Sequence, residues 1–138
     1  MNNNTASDVQ STKFLPWWMW VIVGIEAGIP IFFALSTISD PGSLFPGAKE
    51  LDYAMTLYIT RNITMGVGVL ISAVILRSHT ALFATIAARF LTDGVDQVST
   101  ITSGASDAVM QSLPYLFVIL IVIPLIGLVW LWKHKKEK

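Results

Sequence analysis

Residues 87–97 read AARFLTDGVDQ, and whether they lie in water or in a bilayer decides the fold. The stretch sits inside an apolar run and yet carries Arg89, Asp93 and Asp96. Three ionisable groups on a membrane helix each cost about 2.5–3.5 kcal/mol on insertion scales unless they are paired or hydrated. If the run crosses the bilayer, its partners have to be found on neighbouring helices.

The rest of the chain argues for the bilayer. Of its 138 residues 54% are hydrophobic and only 13% are charged, against roughly a quarter charged in a soluble domain. Mean hydropathy is +0.64. Stretches of about 20 apolar residues, long enough to cross a hydrocarbon core of about 30 Å, fall at approximately 16–36, 53–76, 80–98 and 112–132. The expected fold is therefore all-α, a four-transmembrane-helix bundle over 16–132, with a disordered polar tail at 1–15 and a basic tail at 133–138. One domain accounts for nearly the whole length, which leaves no room for a separate soluble catalytic unit. The leader MNNNTASDVQST lacks the basic start of a signal peptide, and the apolar run after it holds an internal glutamate, so the first span is expected to be retained.

Orientation follows from the basic residues. Lys13, Arg77, Lys133, Lys135, Lys136 and Lys138 fall on one side of this four-span topology and only Lys49 on the other, so both termini are expected to be cytoplasmic. Trp17, Trp18 and Trp20 at the start, with Trp130 and Trp132 at the end, suit an interface on one face. The short turn RSHT at 77–80 makes the second and third spans antiparallel neighbours. The segment SDPGSLFPGAKELD at 39–52, with two Pro-Gly pairs and isolated Leu44 and Phe45, reads as an irregular outer loop.

Depth sorts the buried charges. At 1.5 Å rise per residue, Glu26 and Arg89 both lie about 13 Å from the cytoplasmic boundary, while Arg61 and Asp93 lie about 20–22 Å in. The expected pairs are Glu26 with Arg89 and Arg61 with Asp93, each arginine also within reach of a second carboxylate, and Asp96 near the outer mouth. Arg89, Asp93 and Asp96 share one helical face by their i, i+4 and i+3 spacing. Asn62 and Thr64 beside Arg61 add an amide and a hydroxyl. Gly24 and Gly28, Gly66 and Gly68 are expected at close helix contacts. Pro30 can kink the first span near Glu26. The fourth span, LPYLFVILIVIPLIGLVWLW at 113–132, has no charge and reads as a lipid-facing wall outside the polar site.

Several chemistries fall away. The chain has no cysteine, which removes thiolate catalysis, disulfides and thiolate-held metals. A formal net charge of zero offers no basic excess for nucleic acid. His79 in the turn and His134 in the tail are read as shallow and too far apart for a haem or metal pair, so no metal site is expected.

The pattern RNITMGVGVLISAVILRSHTALFATIAARFLTDGVDQVSTITSG at 61–104 resembles the DoxX-like superfamily of small four-helix membrane proteins, particularly branches catalogued only as domains of unknown function. The resemblance implies a compact four-helix bundle and importance for Arg61, Arg89 and Asp93. Some members are similar to subunits linked to quinone oxidation, but no motif here carries that activity over.

Three readings of function remain. The first is a binding or accessory protein for a lipophilic small molecule, quinone- or isoprenoid-like, held by Glu26, Arg61, Asn62, Arg89, Asp93 and Asp96. The second is a membrane enzyme, an isomerase, cyclase or hydrolase, with Glu26 and Asp93 as acid or base. The third is a bundle whose charge pairs only fix helix register. The bilayer itself, a lipophilic molecule, and a second copy or larger membrane complex are the expected partners. The cofactor is unknown, and a bacterial inner membrane is the expected location.

Overall fold

A computed structural model describes residues 14–43, 48–102 and 107–134. Among these residues the chain is helical and has no strand. Helix α1 spans Trp17–Ser39. Helix α2 spans Tyr53–Leu70 and runs on through a π turn, Ile71–Ile75. Helix α3 spans His79–Thr102. A fourth rod is built from α4, Asp107–Phe117, a second π turn, Val118–Val122, and α5, Ile123–His134. Three segments are long and apolar enough to cross a membrane: Trp17–Ser39, Tyr53–Ile75 and Gln111–His134.

Local chemistry sets the ends. Pro16, lacking an amide hydrogen, precedes α1 in extended conformation, and its carbonyl accepts from Met19 and Trp20. At the head of α2 the Asp52 carboxylate accepts the Met55 amide at 2.7 Å, a side-chain cap for an otherwise orphaned donor. Arg77, with φ of 46°, turns the chain from α2 into α3 through the left-handed region that more often takes glycine at a helix end. Threonine hydroxyls along α3 bond back to carbonyls one turn earlier, as Thr100 does to Asp96 and Thr102 to Val98. Helix α3 continues past the expected end at 98, to Thr102.

Side-chain contacts fix an up-down-up-down arrangement. Gly66 of α2 packs on Ala27 and Ile31 of α1, Thr85 of α3 reaches Ser72 at the end of α2, and Phe83 of α3 meets Trp132 of α5. Trp18 meets Trp130 edge-on at 5.7 Å, so the start of α1 and the end of α5 share one end of the bundle. Met19, Ile22, Val23, Ala27, Val69, Leu82, Ile86, Leu128 and Leu131 form the core near that end. The outside is apolar as well. Phe32, Ile75, Leu91, Val95 and Val98 are each more than 60% exposed, a surface suited to lipid rather than water.

Several sequence expectations need correction. Phe14 and Leu15, assigned to a disordered tail, are packed: Phe14 stacks on His79 at 4.8 Å and Leu15 is buried. Gly24 and Gly28 do not mediate a helix contact within the chain, since a Cβ on either would meet nothing within 4 Å. Gly66 alone of the four expected glycines is at a close approach, where a Cβ would lie 2.8 Å from the Ala27 carbonyl oxygen. His79 and His134, expected far apart, both pack on the Trp130 ring, and each places a ring nitrogen 2.8 Å from a backbone carbonyl, of Phe14 and Trp130 respectively. The tail at 1–13, Leu44 and Phe45 of the outer loop, and Lys135, Lys136 and Lys138 lie outside the described residues.

Candidate functional site

The charges of α3 point inward and its apolar residues outward. Leu91, Val95, Val98 and Ile101 are exposed, whereas Arg89 and Asp93 are only 4% and 6% exposed. This inverted amphipathic helix has its polar stripe where a water-soluble helix keeps its apolar one. It resolves the problem posed by residues 87–97, because the neighbouring helices supply partners.

The inner group is a triad. Glu26 of α1, 1% exposed, places Oε2 3.6 Å from Arg89 Nε, and Arg89 Nη2 lies 3.1 Å from Asp93 Oδ2 one turn along α3. The expected Glu26–Arg89 pair is therefore present. Both contacts are at ion-pair distance, yet Glu26 Oε1 and Oε2, Arg89 Nε and Asp93 Oδ2 make no hydrogen bond. The charges attract without the directed geometry that would satisfy each atom. Pro30 sits one turn after Glu26 and has no amide hydrogen to offer the Glu26 carbonyl.

The outer group corrects the second expected pair. Arg61 of α2 grips Asp96, not Asp93, through two parallel contacts, with Nη1 3.2 Å from Oδ1 and Nη2 on Oδ2. Such a fork is the strong geometry for guanidinium and carboxylate. The depth estimate missed it by three residues, less than one turn: α3 offers carboxylates at two successive levels, and the long Arg61 side chain reaches the outer one. Its guanidinium carbon also lies 5.7 Å from the centre of the Tyr58 ring. This pair is less covered than the triad, with side chains 38% and 43% exposed.

Between the groups lies a cavity of about 480 Å³, within the range that takes a drug-sized molecule. Its polar wall holds Arg61 and Asn62 of α2 with Arg89, Asp93, Asp96 and Gln97 of α3; Glu26 stands behind Arg89 and is not among the lining side chains. Asn62 donates to the Tyr58 carbonyl at 2.9 Å, which fixes its amide plane. Thr64, expected to join Asn62, is exposed and outside the lining. Leu113, Leu116 and Leu120 of the fourth rod complete the lining. The fourth rod thus belongs to the site, contrary to the sequence reading, and supplies its apolar half.

Sequence reasoning overlooked Gln97, Tyr58 and Phe33, which also line the cavity. A signal existed for the first two. Gln97 follows Asp93 by four residues and Tyr58 precedes Arg61 by three, so each shares a face with a residue already singled out. The leucines of the fourth rod had none, because a helix apolar all round gives no clue to which side faces inward.

Comparison with family models, with curated proteins and with solved structures found no match.

Proposed function

We propose that the chain is a four-span membrane protein of DoxX-like type that binds a lipophilic small molecule, quinone- or isoprenoid-like in its apolar body, within this cavity. The observation that carries the reading is the cavity's mixed lining. Polar side chains of α2 and α3, with Asp93 Oδ2, Arg89 Nε and the Gln97 amide nitrogen lacking hydrogen-bond partners, line it together with leucines of the fourth rod. A polar head has the former to meet, and an apolar body has Leu113, Leu116 and Leu120.

A bundle that used its charges only to hold register gains nothing by leaving buried atoms unsatisfied, since each costs about 1–3 kcal/mol. The unpartnered atoms around the cavity therefore favour a site over a structural fastening. Helix α3 crosses the bilayer in this reading, its exposed leucine and valines against lipid and its charges inward. The shared aromatic end of α1 and α5 lies at the cytoplasmic face of a bacterial inner membrane, consistent with the basic residues of the turn and tail.

Titration of the purified protein in lipid nanodiscs with a short-chain benzoquinone bearing an isoprenoid tail tests the reading. Saturable binding that is lost when Leu116→Trp fills the cavity is the expected result. Absence of saturable binding, or binding indifferent to Leu116→Trp, rejects the cavity as the site.

A further inference from the structure

The charges around the cavity do not balance. Arg61 is closed by both oxygens of Asp96, so the outer pair is neutral. Arg89 lies between Glu26 and Asp93, and this inner group has two carboxylates for one guanidinium. No third cation reaches it from the other walls among the described residues. Helix α1 contributes Phe33 to the lining, α2 contributes Tyr58 and Asn62, and the fourth rod contributes only leucines. One negative charge is left over in an inner group whose two carboxylates, Glu26 and Asp93, are more than nine-tenths buried. Such an excess is expensive in a low-dielectric setting.

The position of the excess is informative. Asp93 lines the cavity, and its Oδ2 has no hydrogen-bond partner although it is buried. Gln97, one turn further along α3, places a second polar group on the same wall. The Phe33 ring also borders the space, and an aromatic face is favourable to a cation. Neither arginine is open to hold an anion, because each is already covered by carboxylate.

We propose that the molecule taken up by the cavity is a lipophilic cation, an amine or onium group on an apolar body, whose positive charge rests against Asp93 and completes the charge balance of the Glu26–Arg89–Asp93 group. This rests on the binding reading above and narrows its ligand class. A quaternary onium needs no hydrogen bond and is recognised by charge and aromatic contact, whereas a protonated amine also donates to Asp93 Oδ2.

Three probes of similar shape separate the cases: tetraphenylphosphonium, the anion tetraphenylborate, and neutral triphenylphosphine oxide. Binding of each to the full chain in nanodiscs is measured by equilibrium dialysis. Tetraphenylphosphonium is expected to bind saturably and to be preferred over the other two. Asp93→Asn and, separately, Glu26→Gln are each expected to weaken it by about tenfold or more, the scale of one charged contact. Both substitutions remove the excess charge, so thermal stability is expected to hold or rise, which separates loss of binding from loss of fold. If a permanently held proton supplies the missing charge, the neutral probe binds as well as the cation and Asp93→Asn changes nothing. That outcome overturns the cation proposal and leaves the cavity reading standing. Failure of every probe, together with failure of the benzoquinone titration, removes both.

Discussion

Arg89 and Arg61 are the same residue type on facing helices, but they do different work. Arg89 is almost wholly buried between two carboxylates, whereas more than a third of the Arg61 side chain is exposed. Removing one partner from a buried ionic group strands the other, at about 3–5 kcal/mol. Removing one from a more open pair typically costs about 1 kcal/mol or less. Arg89→Gln is therefore expected to lower the thermal midpoint in detergent far more than Arg61→Gln. Equal effects would show that the two levels are equally buried in the membrane, against the geometry described above. The sequence made the Glu26–Arg89 pairing legible because the two match in depth, although Asp93, one turn along α3, lies nearer still to Arg89. It misassigned Arg61 because Asp93 and Asp96 are separated by less than one turn, a difference smaller than the reach of an arginine.

At the scale of the helix, what could be read depended on whether both faces look alike. Helix α3 announced its inner face through Arg89, Asp93 and Asp96. The fourth rod, apolar on every side, gave no hint that Leu113, Leu116 and Leu120 would wall the cavity. Its π turn at Val118–Val122 carries Leu120, and such turns occur often beside functional sites. Glycines were equally ambiguous, since a small residue can face a neighbour or open space. The structure separates them. A methyl group on Gly66 meets the Ala27 carbonyl oxygen at 2.8 Å, and backbone cannot yield as a side chain can. Gly66→Ala is expected to destabilise the α1–α2 contact by about 1–3 kcal/mol. Gly24→Ala, with no atom to meet within 4 Å, is expected to be neutral or slightly stabilising. Thermal melts of the two variants in detergent check the contrast. A large loss for Gly24→Ala accompanied by dissociation of a larger species would instead place a second copy on that face of α1.

At the scale of the molecule, hydropathy along the sequence reads four spans, whereas three helices of the structure are long and apolar enough to cross a membrane. Helix α3, with Arg89, Asp93 and Asp96, is not one of those three, and its case rests on direction: polar atoms in, apolar side chains out. The whole functional reading depends on that helix crossing the bilayer, because the cavity's polar wall is carried mainly by it. The absence of cysteine from the chain makes a direct measurement simple. Thr80 and Thr102 are exposed near the two ends of α3, and Thr80→Cys and Thr102→Cys can be labelled separately in sealed membrane vesicles with a membrane-impermeant maleimide. Labelling of the two positions from opposite sides of the membrane is the expected result. Labelling of both from the same side would contradict a membrane-spanning α3, and with it an intramembrane site.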